Sequence, residues 1–297
     1  SPPSTGKPNA FVKRHSAFQY SGINHQPELY YFRAFKIMAK KKEKPTILVT
    51  NDDGITAPGI RNLVEAMRPF GKVIVVAPDS PQSAMGHAIT INRPLRLDKV
   101  QVFEGIDSWQ CSGTPVDCVK LAVNQILHRK PDLCVSGVNH GSNSSINVIY
   151  SGTMSAAMEG AIEGIPSIGF SLLDYSLQAD FGPARKVIEK IVKNVLKIGL
   201  PENTLLNVNI PKLPISKIKG IKICRQANAK WKEEFDHRKD PNGRDYFWLT
   251  GKFINNDTGD DTDEWALAKG YVSVVPVQFD FTAHHAIPHL NSVKWNE

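Results

Sequence analysis

From residue 46 onward the apolar residues follow two alternating rhythms. Short, continuous apolar runs read as strands buried on both faces. They are Thr46-Ile-Leu-Val-Thr50, Val73-Ile-Val-Val-Ala77, Asp132-Leu-Cys-Val-Ser136, Ser167-Ile-Gly-Phe-Ser171 and Leu205-Leu-Asn-Val-Asn209. Between them the apolar positions recur at helical spacing. Ile60, Leu63, Val64 and Met67 share one face of a helix opened by Pro58. Val116, Val119, Val123 and Ile126 share one face over residues 115–127. Residues 183–198 form a strongly amphipathic helix, and the small-residue helix at 153–163 can pack close to a sheet. Residues 89–111 alternate short extended runs with turns, which predicts small strands. Strand, helix and strand within about 30 residues make a βαβ unit. Its repetition predicts an α/β fold with a doubly wound, mostly parallel, Rossmann-like sheet.

The rhythm changes after about residue 225. Residues 226–261 are polar and turn-rich, with Asp240-Pro-Asn-Gly243 ahead of Tyr246-Phe-Trp-Leu249, which predicts a hairpin arm. Residues 262–269 read as a helix and 271–275 as a further strand. Three stretches follow: a basic N-terminal extension over 1–45, a Rossmann-like catalytic core over 46–225, and a hairpin with a C-terminal arm over 226–297.

Charge sharpens that division. The net charge is +7, and residues 1–45 hold nine Lys or Arg against two acids, which accounts for all of it. The remaining 27 basic and 27 acidic residues balance. A neutral folded part favours a small-molecule substrate over a nucleic-acid polymer. Met38 precedes Ala-Lys-Lys-Lys, so translation is expected to start there. No apolar h-region follows the N-terminus and no run of about 18 apolar residues occurs. The expectation is therefore no membrane association and a cytoplasmic location. Cys111, Cys118, Cys134 and Cys224 lie in apolar or mixed runs without a Cys-x-x-Cys pair, as buried free thiols do.

Doubly wound sheets bind ligands beyond the carboxyl ends of their strands. Three such loops carry unusual residues: Asn51-Asp52-Asp53-Gly54, Asp79-Ser80-Pro-Gln82-Ser83, and Ser136-Gly-Val-Asn139-His140-Gly141-Ser142-Asn143. Two adjacent carboxylates about 4 Å apart repel by on the order of 4 kcal/mol at an effective dielectric of 20, and a dication turns repulsion into attraction. With the Ser83 hydroxyl and the Asn139 amide carbonyl nearby, an all-oxygen set suits Mg²⁺, Mn²⁺ or Ca²⁺. Tyr150-Ser151-Gly152-Thr153 leads into a helix, whose free N–H groups favour an anion. Taken singly, each motif has an ordinary reading as a turn, a loop serine or an N-cap, and the histidines, His140 among them, read as surface or structural groups.

In combination, these motifs resemble the SurE survival-protein family of 5′/3′-nucleotidases. The resemblance rests on Ile47-Leu-Val-Thr-Asn-Asp-Asp-Gly-Ile55, Ala57-Pro-Gly59, Val76-Ala-Pro-Asp79, Gln82-Ser83 and Gly113-Thr-Pro-Val-Asp-Cys118. It continues through Ser136-Gly-Val-Asn139, Gly141, Asn143, Tyr150-Ser-Gly-Thr153, Ala156-Ala-Met-Glu159 and, more weakly, Gly270-Tyr-Val-Ser-Val-Val-Pro276, across essentially all of 46–297. It implies one divalent metal ion, Mg²⁺ or Mn²⁺, held by Asp52, Asp53, Ser83 and Asn139. It implies phosphate contacts from Asn143, Ser151, Gly152 and Thr153. It also implies nucleoside 5′- and 3′-monophosphates as substrates, with short polyphosphate as an extension. A homodimer or homotetramer built by exchange of the C-terminal arm is implied as well. One departure stands out: the family often has Gly after the loop serine, whereas here it is Ala84, which a positive φ would strain.

The expected chemistry is in-line attack on phosphorus, with Asp52 as general base or as direct nucleophile and Asp53 beside it. Haloacid-dehalogenase-type phosphatases place Asp-x-Asp after the first strand, whereas the acids here are adjacent. Neither Gly-x-Gly-x-x-Gly after strand one nor Gly-x-x-x-x-Gly-Lys-[Ser/Thr] occurs, which argues against a dehydrogenase and an ATPase. The alternative of another class is a non-catalytic nucleotide-binding or stress-interaction protein.

Overall fold

The structure, a computed structural model, describes residues 44–295 apart from Leu177. Expectations for the basic extension and for a start at Met38 fall on residues outside that range. The chain opens on β1 (Thr46–Thr50), all five residues buried, followed by α1 (Pro58–Met67) and β2 (Lys72–Pro78). Next come β3 (Leu97–Val100), β4 (Asp107–Cys111), α2 (Pro115–Leu121) and β5 (Leu133–His140). The second half runs through α3 (Gly152–Ile162), β6 (Ser167–Leu172), α4 (Gly182–Ile198), β7 (Thr204–Ile210) and β8 (Ile221–Ile223). It closes with β9 (Ala229–Lys239), β10 (Asp245–Asn255), α5 (Asp263–Ala268), β11 (Val272–Gln278) and α6 (Ile287–Asn291).

Among the described residues, nine strands form one sheet in the order β3-β4-β2-β1-β5-β6-β7-β11-β8. The pairs from β4 through β7 are parallel, while β3 and β11 run antiparallel to their neighbours β4 and β7. This is the expected doubly wound sheet with an antiparallel outer part. The chain moves outward from β1 through β2 to β4, then crosses back to β5 on the other side of β1. The order therefore reverses between β1 and β5, and the crevice at their carboxyl ends is where this architecture binds ligands.

The two faces divide the core by residue parity, as the pleat requires. Ile47 and Val49 of β1 pack with α1 and α4, including Leu63, Val64, Ile188 and Val192. Leu48 faces the other way, with Cys118 and Val119 of α2 and Ala156 of α3. Burial on both faces explains why these strands are unbroken apolar runs. All four cysteines are free and buried.

Two elements differ from expectation. Strand β5 does not stop at Ser136. It continues to His140 through a register shift against β6 between Ser136 and Asn139. The shift uses Gly137 at φ 123°, where an added Cβ would lie 2.3 Å from the Phe170 carbonyl oxygen. Such a bulge re-aims the following side chains, here Asn139 and His140. The helix expected over 115–127 is α-helical only to Leu121, and residues Ala122–Leu127 are wound as a π-helix. There the Asn124 amide donates to the Lys120 carbonyl at 2.8 Å, which competes with the backbone for that acceptor.

Helix α1 comes so close to β5 that a Cβ on Gly59 would sit 2.0 Å from the Val138 carbonyl oxygen. Gly59→Ala is expected to lower stability by about 3 kcal/mol, read as a drop in thermal midpoint, because backbone must move to admit the methyl.

Strands β9 and β10 make the expected hairpin, paired over eleven residues each as a separate two-stranded sheet. Its turn closes with Asp240 N–H donating to the Arg244 carbonyl. The hairpin exposes Phe235, Phe247, Trp248 and Leu249, and the segment after β11 exposes Phe281 and Trp295. Among the described residues no helix is long and apolar enough to cross a membrane.

Candidate active site

The loops leaving β1 and β2 are tied together by backbone. The Gln82 N–H donates to the Asp52 carbonyl at 2.7 Å, and the Ile55 N–H to the Pro78 carbonyl at 2.9 Å. The Asn51 side chain closes its own turn by donating to the Gly54 carbonyl at 2.9 Å. These links bring the loop that carries Ser83 over the acidic pair. The result is a cleft of about 330 Å³ lined by Asp52, Asp53, Ser83, Asn139, Asn143 and Ser151, among others. Six of the eight expected site residues thus share one cavity. Gly152 and Thr153 lie directly behind it.

Asp52 is the buried centre of the cleft, 4% exposed. Its Oδ1 accepts a 2.5 Å hydrogen bond from the Thr153 hydroxyl. Gly152 lies against its other side, where a Cβ would come 2.7 Å from the Asp52 Cβ and 2.9 Å from Oδ2. Asp52 therefore sits at the N-terminus of α3. The expected part of Thr153 shifts accordingly: its hydroxyl and its backbone N–H are both turned to the Asp52 carboxylate, so it positions Asp52 rather than a substrate anion. Ser151 caps α3, its hydroxyl oxygen accepting from the Met154 N–H at 3.1 Å while its own hydrogen stays free to donate. Asn143 is anchored more firmly than expected. It donates through Nδ2 to Ser171 Oγ and through its N–H to Asn209 Oδ1, both at 2.8 Å, and accepts at its carbonyl from Asn207.

Burial, reinforced by the Asp53 charge, pushes the Asp52 carboxyl from 3.8 up to about 6, against the pull of the Thr153 hydroxyl. Burial also raises Asp53, opposed by His140. Between about pH 4 and 6 the folded, metal-free protein holds more protons at Asp52 than the unfolded chain does. Its contribution to stability is thus present below about pH 4 and lost as pH rises through 6, a loss of about 3 kcal/mol. Metal-free Asp52→Asn is accordingly expected to be more stable than the parent at pH 7.5, with the gap narrowing at pH 4. Denaturant midpoints at the two pH values read this difference.

The donor set fits a hard dication. Asp53 Oδ2 is buried without a hydrogen-bond partner. Asn139 donates through Nδ2 to the carbonyls of His140 and Gly141, at 3.1 and 3.2 Å, which leaves its Oδ1 as the uncommitted acceptor. Among the described residues no three His, Cys, Asp or Glu side chains cluster as a metal site, so neutral oxygens must complete any set built on the two carboxylates. A larger cavity of about 750 Å³ is lined by Val148, Ile149, Met158, Val275, Val277 and Phe281 among others, and contains no carboxylate.

His140, expected as a surface or structural group, also lines the cleft. Its ring stands edge-on to Phe181 at 4.8 Å, and its charge bears on Asp53. The signal was its place next to Asn139, which becomes informative only once β5 is known to run on through the bulge. Ala84, after the loop serine, adopts φ 60°. That is the strained left-handed conformation anticipated for the departure from Gly. Ala84→Gly is expected to raise stability by roughly 0.5–1 kcal/mol in chemical denaturation.

Fold and site together define a doubly wound α/β protein with a carboxylate-centred cleft at its topological switch point. Comparison with known proteins narrows that class. The family model for survival protein SurE matches residues 47–233, and the chain belongs to that family. A 5′-nucleotidase SurE of Christiangramia forsetii is 70% identical over 258 residues, covering 86% of this chain and 99% of that protein. One from Flavobacterium psychrophilum is 67% identical over 255 residues, covering 86% and 99%. The crystal structure of the SurE protein from Aquifex aeolicus superposes with a TM-score of 0.74 at 43% identity, covering 83% of this chain and 98% of that one.

Proposed function

We infer that this chain is a 5′-nucleotidase, a phosphomonoesterase that hydrolyses nucleoside 5′- and 3′-monophosphates and short polyphosphate. The observation that carries the reading is the buried acidic pair at the switch point, with an unpartnered oxygen on Asp53 and the start of α3 against Asp52. High identity over nearly the whole length of proteins named 5′-nucleotidase SurE supports it. A single Mg²⁺ or Mn²⁺ held by Asp52, Asp53, Ser83 and Asn139 would neutralise phosphate oxygens and acidify a bound water.

This chain's own groups do the rest. The Gly152 N–H and the Ser151 hydroxyl hydrogen receive the phosphoryl oxygens, and the α3 dipole favours their charge. Thr153 holds Asp52 in one rotamer, and Asn143 holds the loop after β5 through its bonds to Ser171, Asn207 and Asn209. Asp52 takes the proton of the attacking water or attacks phosphorus itself. His140 beside Asp53 is the candidate to protonate the leaving oxygen. Exposed apolar side chains on the hairpin and on the C-terminal arm support a homodimer or homotetramer joined by exchange of that arm. The neutral charge of 46–297 supports small nucleotides over polymers.

Phosphate release from each nucleoside monophosphate, with Mg²⁺, Mn²⁺ or Ca²⁺ and with EDTA, tests the reading. Metal-dependent release that persists at high salt is expected. No release from any nucleotide with any metal would overturn it.

A further inference from the structure

We propose that Tyr150, Tyr175 and Trp231 form a nucleobase-stacking subsite, so that the β9–β10 hairpin supplies part of the substrate specificity. The inference rests on the nucleotidase reading above and adds what holds the base.

All three rings line the cleft that contains Asp52 and Asp53. They come from three separate places: the turn before α3, the loop after β6, and strand β9. Each is exposed, Tyr150 by 54%, Tyr175 by 74% and Trp231 by 44%. Exposed aromatic rings are ordinarily free to rotate, yet two of these are held. The Trp231 indole N–H donates to Asn147 Oδ1 at 2.8 Å, and its ring meets Phe253 edge-on at 5.6 Å. The Tyr175 hydroxyl accepts from the Ser142 N–H at 3.1 Å. Its ring is pressed onto Gly141, where a Cβ would lie 2.3 Å from Tyr175 Cε1. Ring faces fixed in advance and open to solvent suit a flat ligand, because little ordering remains to be done on binding.

The space agrees. Tyr150 and Trp231 are shared with an adjoining cavity of about 630 Å³, lined also by Ile146, Lys230, Lys232, Glu233 and Ile254. A nucleoside monophosphate with its phosphate at the acidic pair would point its base along this wall. Every base has a π-face, so such a platform accepts all of them.

The test compares kcat/KM for AMP with that for ribose 5-phosphate, which carries the same phosphate and sugar without a base. The parent enzyme is expected to favour AMP by about tenfold or more. Trp231→Ala and Tyr175→Ala, on different elements, are each expected to reduce that ratio by about tenfold, mostly through KM for AMP. Trp231→Phe is expected to retain most of it. If the parent releases phosphate from both substrates without preference, or if both alanine variants keep the full preference, the subsite is wrong while the nucleotidase reading stands. If the parent releases phosphate from neither, the nucleotidase reading itself fails.

Discussion

Asp53→Asn is expected to reduce phosphate release from AMP by on the order of 10³-fold, the scale on which enzymes lose rate when one preorganised charge-stabilising group is removed. The buried Oδ2 of Asp53 has no hydrogen-bond partner, while the carboxylate otherwise accepts from the His140 N–H, a bond that an amide oxygen can keep. Its neighbour's carboxyl is raised partly by the Asp53 charge. Replacing it by a neutral amide relieves that repulsion, so metal-free Asp53→Asn is expected to fold at least as stably as the parent while losing activity. Opposite signs for activity and stability mark a group kept for chemistry rather than for packing. Steady-state kinetics with saturating Mn²⁺, alongside thermal denaturation in EDTA, reads both. A variant that lost stability and activity together would place Asp53 among the structural residues instead.

Gly152→Ala carries the second large effect. Its added methyl would land 2.7 Å from Asp52 Cβ and 2.9 Å from Oδ2. Either Asp52 must leave the rotamer that Thr153 holds, or the start of α3 must withdraw from the cleft. Both outcomes misplace the carboxylate relative to the N–H intended for phosphate. Displacements of about 1 Å at a reacting centre lower rates by about 100-fold, and that is the loss expected in kcat. Because the methyl meets the Cβ of a buried residue, stability is expected to fall as well, by about 1–3 kcal/mol. Full activity in this variant would mean that α3 and Asp52 do not act as one unit.

Much of this site is legible in the chain because its residues lie at strand ends. Once the apolar runs are read as parallel strands, Asp52, Asp53, Ser83 and Asn139 are brought to one rim by topology alone. The adjacency of two carboxylates, and the hydroxyl-rich start of α3, then suggest charge and counter-charge. Other features depend on tertiary contacts that no local pattern encodes. Strand β5 continues past Ser136 only because Gly137 admits a bulge against Phe170, and that bulge is what carries His140 to the cleft. The Thr153 hydroxyl looks like one more helix-start donor, yet the packing of α3 against the loop after β1 commits it to Asp52. Trp231 lies 84 residues from its partner Asn147, on a hairpin whose turn was readable but whose direction was not. The π-helical stretch after α2, within which the Asn124 amide donates to the Lys120 carbonyl, is a feature that helical periodicity does not register.

The most direct measurement is diffraction from crystals grown with Mn²⁺, recorded so that manganese scatters anomalously. One anomalous peak per chain is expected in the cleft, with oxygens of Asp52, Asp53, Ser83 and Asn139 within about 2.0–2.6 Å of it. A peak held by other residues, or an enzyme that requires Mn²⁺ yet shows both carboxylates turned away from the ion, would contradict the assignment of this cleft as the metal and phosphate site.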